Sequence, residues 1–358
     1  MYEKLLEPLK IGGITVKNRM FSSPTSLAEL GPDEHYSKEN IEYYKLRALG
    51  GAAVVPVGDV MVDLDTGRSH PQQVGINDPS AAPYLAALAD AIHSGGAMAE
   101  VEIDHGGALC SPEFIGGKNA FGPSHYIDPW GDEVEEMTEE QICWIADKYA
   151  EAAKNARDLG FDMVMVHGGH GWLLHQFLSP KYNRRTDEYG GSVENRARYP
   201  LEIVKAVREA VGRDFVLDLR ISGDEFTEGG STIEDCVYFC SQAQDYVDMM
   251  NISAGQPWGK RMAISVFEER GINSEFSAAV KRVVTKCPVS SVGGYTDPAL
   301  MERFLEEGRC DYFLLGRSIL ADPQLPDKAR TGRCGEIHQC LRCFICNDAQ
   351  YHEPGRLL

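Results

Sequence analysis

Short apolar, β-branched runs alternate with longer helical stretches along the whole of this chain, and that alternation limits its fold more than any other feature. The runs lie at 20–23, 53–57, 98–103, 163–167, 216–221, 249–253, 289–292 and 312–315. Between them, 40–49, 81–94, 139–159, 193–211, 233–246, 276–285 and 297–307 carry apolar residues mostly at helical spacing. Several of these open with a cap candidate: Thr138, Ser192, Thr232 or Thr296. Repeated strand–helix alternation implies a parallel sheet, and eight such strands imply closure into a (β/α)8 TIM barrel. A doubly wound open sheet is the competitor. No G-x-G-x-x-G opens a helix after the first run, which counts against a dinucleotide-binding sheet. Residues 8–17 read as a small N-terminal hairpin turning at Gly12-Gly13.

A chain of 358 residues fits one barrel without a second core. Its net charge of −19 repels phosphate backbones, so nucleic acid is not an expected partner. No apolar run approaches the roughly 20 residues needed to span a bilayer. The opening ten residues lack the apolar stretch of a signal peptide. A cytoplasmic protein is therefore expected, with its ten cysteines as thiols or metal ligands rather than disulfides. Cys110, Cys143, Cys236, Cys240, Cys287 and Cys310 are scattered and read as small buried hydrophobes. Cys334, Cys340, Cys343 and Cys346 crowd the end of the chain.

In a barrel of this kind chemistry sits where strands end. Three long loops follow strands, at 58–79, 104–137 and 222–230, and read as covers over a site. The second holds Phe121, Tyr126 and Trp130. The strand ends themselves carry Ser23-Pro24-Thr25-Ser26, Glu102, His167 and His170, Arg220, Gly293-Gly294 and Gly316-Arg317. Glycines let backbone N–H groups approach an anion, and an arginine adds a forked positive charge. After strands seven and eight, that combination marks a phosphate site. His167 and His170 can present two N–H donors to one substrate oxygen. Zinc ligation is the rival for this pair, but no third ligand follows at convincing spacing.

The stretch from His167 to Arg198, HGGHGWLLHQFLSPKYNRRTDEYGGSVENRAR, resembles the Old Yellow Enzyme family, and the resemblance extends from Leu6 to Pro323. It implies bound FMN. Ser23, Pro24, Thr25 and Ser26 match the segment lining the flavin ring, and Gly58 the small residue at its carbonyl edge. Glu102 matches the partner of the pyrimidine edge, and Arg220 the arginine at N1 and O2. Gly293, Gly294, Gly316 and Arg317 match the phosphate site. His167 and His170 match the pair that polarises a substrate carbonyl. The family implies hydride transfer from NAD(P)H to FMN, then to the β-carbon of an electron-poor alkene. Three positions depart from the pattern. Glu102 replaces a glutamine, and a carboxylate cannot donate to O2 unless protonated. Ser26 replaces a cysteine or threonine. Trp172 replaces the tyrosine that usually delivers a proton to the α-carbon, and an indole N–H is no acid at neutral pH. Tyr126, Cys110 or water is expected to supply the proton instead, Tyr126 first among them.

Cys340, Cys343 and Cys346 form C-x-x-C-x-x-C, which reads as three of the four thiolates of an iron–sulfur cluster, with zinc or plain thiols as alternatives. The resemblance sharpens this, because relatives of the 2,4-dienoyl-CoA reductase and trimethylamine dehydrogenase type carry a 4Fe–4S cluster after the barrel. Twelve residues follow Cys346, one short of where the amine dehydrogenases place their fourth cysteine. The expected organisation is a flavin barrel over 1–330 and a cysteine-rich extension over 331–358, within a longer polypeptide. Cys334 is the substitute fourth ligand. The expected function is an FMN-dependent ene-reductase acting on an enone or enoate. The alternative is an FMN and iron–sulfur amine dehydrogenase or oxidative demethylase. Expected partners are a small-molecule substrate, NAD(P)H or another electron donor, further redox domains, and a second copy in a homo-oligomer.

Overall fold

The structure is a computed structural model that describes residues 2–26, 29–257, 259–261 and 263–346. Eight parallel strands form the barrel: β1 (Met20–Ser22), β2 (Val54–Met61), β3 (Met98–Asp104), β4 (Met163–Gly168), β5 (Val216–Ser222), β6 (Met249–Ser253), β7 (Ser290–Val292) and β8 (Tyr312–Leu315). They pair in the order β2-β3-β4-β5-β6 and β7-β8-β1. Two contacts close the ring: a parallel bridge from Met250 to Val289, and the Ala53 N–H donating to the Met20 carbonyl at 2.9 Å. The main barrel helices are α1 (Lys38–Leu49), α2 (Ala82–Ser94), α3 (Glu139–Asp158), α4 (Arg198–Val211), α5 (Ile233–Ala243), α6 (Ser274–Lys281) and α7 (Pro298–Glu306).

Period-two alternation divides each strand between two cores. Outward-facing residues such as Val101, Val166, Leu219 and Ile252 pack against the helices. Inward-facing Phe21, Val54, Met163, Met165, Val216, Met249, Tyr312 and Leu314 fill the lower barrel. The hairpin of Leu9–Ile11 and Ile14–Val16 seals that end, with Leu9, Ile11 and Val16 in the same cluster. Above this plug the interior becomes polar, and there the site begins.

Some local expectations shift. Thr138 and Ser192 cap their helices as expected, but Asp297 rather than Thr296 caps α7, its carboxylate accepting from the Ala299 N–H. An Asp carboxylate two residues ahead of a free N–H outcompetes a buried hydroxyl. The 193–211 stretch is divided at Ala197 into a short helix, Val193–Arg196, and α4. The 104–137 loop is not structureless: Ala120–Gly122, Tyr126–Ile127 and Glu133–Glu136 form a three-stranded sheet. No helix among the described residues is long and apolar enough to cross a membrane.

Candidate active site

A cavity of about 700 Å³ opens at the C-terminal ends of the strands. Its walls include Pro24, Thr25 and Ser26 after β1, Glu102 of β3, and His167, His170 and Trp172 from β4 onward. Arg220 of β5, Gly293 and Gly294 after β7, and Gly316 and Arg317 after β8 complete this set. Residues far apart in sequence thus meet in one space because each ends a strand. Ser23 and Gly58 stand just behind the wall. The Ser23 N–H extends the β1 pairing to Leu315 at 3.1 Å. Gly58 lies at a register shift in β2, and a Cβ there would sit 2.6 Å from the Thr25 nitrogen. Only glycine allows the β1 end to approach so closely.

At the inner end, Arg220 Nη1 donates to Glu102 Oε2 at 2.6 Å, and both residues are buried. Burial pushes the Glu102 carboxyl up, while Arg220 draws it back. Beside this pair the two histidines are bonded to one another. The Gly169 N–H approaches His167 Nδ1 at 3.4 Å, His167 Nε2 lies 3.2 Å from His170 Nδ1, and His170 Nε2 lies 2.8 Å from Ser253 Oγ. One proton assignment satisfies the series: His167 carries its proton on Nε2 and His170 on Nε2. Burial and the nearby Arg220 charge hold both rings well below the ordinary histidine range, hence neutral. The expected convergence of two donors on one point is therefore replaced by a relay ending at Ser253. His170 adopts φ 51 between Gly169 and Gly171, a backbone state that costs a non-glycine residue energy and recurs at functional sites.

The outer end is built from backbone and from the C-terminal segment. Gly294 takes φ 69. Arg317 Nη2 donates to the Ile264 carbonyl at 2.7 Å, and its guanidinium lies 4.9 Å from the Phe344 ring. Arg270 ties the Gly294 and Cys340 carbonyls together, at 3.3 and 3.2 Å. Cys340 and Cys346 line the cavity here, whereas Cys343 is exposed. Among the described residues the three sulfurs do not converge; the side chains with ligand atoms within 4.8 Å of one another are Glu102, Asp104 and His167. The donor set of three thiols fits an iron–sulfur group, but its placement does not yet form one. Residues 347–358 lie outside the described ones.

The flavin implied by the resemblance can be tested on the cavity itself. Arg220 Nε and Arg317 Nη1 are buried without a hydrogen-bond partner among the described residues. Buried donors are ordinarily satisfied, so each such atom calls for an explanation. These two are among the groups the resemblance aligns with the flavin ring and the phosphate, and the residues present fit FMN.

Tyr126 and Cys110 are not brought to the cavity. Tyr126 stands in the loop sheet, its ring 6.0 Å from that of Tyr182, and the Cys110 thiol donates to the Thr66 carbonyl at 3.2 Å. Trp130 of the cover loop does line the cavity, and so do Asp59, His70 and Asp104, which sequence reasoning did not select. His70 Nε2 pairs with Asp59 at 2.8 Å, its Nδ1 faces Gln72 Oε1 at 3.1 Å, and Gln73 holds the other Asp59 oxygen at 2.6 Å. Burial lowers the His70 pKa, but the Asp59 charge and hydrogen bond outweigh it, so the net shift is upward. Ser253 could have been found by the strand-end rule; His70 gave no signal. The latter half of the 167–198 motif proves structural: Arg185 binds Asp187 and the carbonyls of Pro123 and Met137, fastening the loop sheet over the barrel.

Residues 4–336 match the model of the NADH:flavin oxidoreductase / NADH oxidase family. An NADH oxidase of Thermoanaerobacter brockii is 35% identical over 96% of this chain and 53% of its own length. A dimethylamine dehydrogenase of Hyphomicrobium sp. (strain x) is 31% identical over 96% of this chain and 48% of its own. Among solved structures, a 2-naphthoyl-CoA reductase in complex with 2-naphthoyl-CoA superposes with a TM-score of 0.91 at 32% identity, covering 96% of this chain and 54% of that one. The chain spans about half the length of the curated relatives it matches.

Proposed function

The chain belongs to the NADH:flavin oxidoreductase / NADH oxidase family, and on that premise we propose that it is the FMN barrel of an ene-reductase acting on a carbonyl-conjugated C=C bond. Residues 1–330 form the flavin unit and 331–358 begin an iron–sulfur region. NAD(P)H or another electron donor supplies the reducing equivalents. The observation that carries the reading is the pair of unpartnered buried donors, Arg220 Nε and Arg317 Nη1, in the same cavity as the histidine pair. When bound, FMN supplies the hydride chemistry; the remaining roles belong to side chains.

Ser26 and Arg220 would orient the ring, while Arg317 and the glycines after β7 and β8 would hold the phosphate. A substrate carbonyl oxygen enters between the histidines and takes the His167 Nε2–H. His170 joins by shifting its proton to Nδ1, which is possible because the Ser253 hydroxyl can either accept from Nε2 or donate to it. The two donors then stabilise the enolate-like charge that develops on that oxygen. Trp172, Trp130 and Leu109 wall a broad apolar space, suited to a flat unsaturated ring system, the kind of ligand that the 2-naphthoyl-CoA reductase holds. We assign the proton for the α-carbon to His70, the cavity-lining acid whose two ring nitrogens both face acceptors.

A second reading has its own support. The C-x-x-C-x-x-C spacing and the likeness to the dimethylamine dehydrogenase favour hydride removal from a C–N carbon; Cys340, Cys343 and Cys346 would then hold an iron–sulfur cluster, which would supply onward electron transfer. One anaerobic experiment separates the two. Reduced holoenzyme reoxidised by an enone or enoate supports the first; oxidised holoenzyme bleached by a secondary or tertiary amine supports the second. Iron and acid-labile sulfide content tests the cluster independently.

A further inference from the structure

The barrel interior beneath the ring site is unusually acidic. Strand alternation sends Glu100, Glu102 and Asp104 of β3 inward, together with Asp218 and Arg220 of β5, and all are buried. Both oxygens of Glu100 and Asp104 lack a hydrogen-bond partner among the described residues. Arg220 is the one cation of this set, and Glu102 has claimed it at 2.6 Å. Two unit charges about 4 Å apart repel by roughly 4 kcal/mol in a protein-like dielectric. Four carboxylates therefore cannot all ionise here. Burial pushes Glu100 and Asp104 well above the carboxylate range and Asp218 up to about 8. Glu102 is the member whose charge is balanced, because Arg220 faces it, although burial still leaves its pKa raised.

That arrangement conflicts with placing negative charge on a reduced flavin. Arg220, the residue that would balance such charge, is already neutralised. Apart from the Asp59 backbone N–H, which favours its charged form, the other groups facing Glu102 give no relief: Glu100 and Asp104 on its own strand, the Asp59 carboxylate on β2 and Asp218 on β5 are acids. His167 on β4, with Nδ1 at 3.9 Å from Glu102 Oε2, is held neutral.

We propose that Glu102 takes up a proton from solvent when the bound flavin is reduced, freeing Arg220 to pair with the reduced ring. The inference rests on the FMN reading and deepens it. The balance is two electrons and one proton to the flavin, plus a second proton converting the Glu102 carboxylate to a carboxyl; on reoxidation both protons leave. The protonated Glu102 can also donate an O–H to the pyrimidine edge, which the carboxylate cannot. Glu102 acts here as a positioning residue for charge, working through Arg220.

The test is the pH dependence of the midpoint potential of the FMN holoenzyme, by spectroelectrochemical titration from roughly pH 6 to 9. Uptake of two protons per two electrons gives a slope of about 59 mV per pH unit; one proton gives about 30 mV. Wild type is expected at the steeper slope and Glu102→Gln, which keeps an amide of the same shape at the ring edge, at the shallower. A shallow wild-type slope overturns the inference while the FMN reading stands. A steep slope in both proteins places the second proton on the flavin itself and equally overturns it. Infrared difference spectra of wild type on reduction give a second readout that does not need the variant to fold. A protonated-carboxyl C=O band is expected to appear, and its absence counts against Glu102. Protein that binds no FMN overturns the underlying reading and the inference with it.

Discussion

The two ends of the cavity are built on different principles. At the inner end, side chains on β3, β4 and β5 meet in a closed network: Glu102 with Arg220, His167 with His170, His170 with Ser253. At the outer end the wall is backbone at Gly293, Gly294 and Gly316, with Arg317 held by the Ile264 carbonyl and shielded by Phe344. An inner group is paired before any ligand arrives, so removing it strands a partner inside the protein. Outer groups mostly await a ligand, so removing one weakens binding and little else.

Arg220→Ala should bring that difference out most strongly. It leaves the Glu102 carboxyl buried without its cation, a loss of about 3–5 kcal/mol in stability when one partner of a buried pair is removed. Chemical denaturation of the FMN-free protein reads this directly. Arg220→Ala with wild-type stability would show that the inner network is not pre-paired. Next in size, His167→Ala with His170→Ala should leave FMN bound but lower turnover of a carbonyl-bearing substrate by about 10²–10³ for the lost oxyanion donors. Phenol charge-transfer bands should vanish with it. Equal turnover in both proteins would remove the pair from the reaction. At the outer end, Arg317→Ala should weaken FMN binding by roughly 1.5–3 kcal/mol, the range for a charge-assisted hydrogen bond, with denaturation midpoints of the flavin-free protein little changed. A stability loss matching that of Arg220→Ala would erase the contrast between the ends.

The same contrast explains what the sequence made legible. Inner residues lie on strands, where a period of two and a fixed end point decide which side chains face inward. All eight barrel strands, and with them Glu102, His167 and Arg220, could be placed from pattern alone. Loop residues obey no such period. The expectation that Tyr126 reaches the substrate failed because the 104–137 loop folds into its own sheet, which turns Tyr126 toward Tyr182 and leaves Trp130 at the cavity. His70 escaped notice for the same reason. Its position depends on a register shift in β2 that sets Asp59 at φ 64, and on Gln73 of the same 58–79 loop anchoring Asp59. Cys340, Cys343 and Cys346 were visible as a motif, but spacing cannot say that the segment lies across the phosphate end, tied there by Arg270.

The smallest expected effect is at Trp172, and it bears on where the proton originates. If the reaction is alkene reduction, the α-carbon must receive a proton in step with hydride at the β-carbon, and an efficient donor has a pKa near the working pH. Trp172 has no such proton, and Tyr126 and Cys110 do not line the cavity. His167 and His170 are held neutral. His70 differs, because Asp59 outweighs the effect of burial and raises its pKa, favouring the charged form. A raised folded-state pKa means the Asp59–His70 pair contributes its full stability below the unfolded value of about 6.5 and loses it as pH rises through the folded value. Oxidation of the reduced enzyme by an enone should fall over that same rise. His70→Gln should abolish this pH dependence and slow the step, while flavin reduction by NADH is unchanged. Trp172→Tyr, by contrast, should change the rate for small enones by no more than a few-fold, within about 1 kcal/mol, and should narrow the space for bulky ones. Reduction in deuterated water should place deuterium at the α-carbon in all three proteins. No deuterium there would exclude every exchangeable donor at once, His70 and water alike, and amine oxidation would become the better account of the cavity.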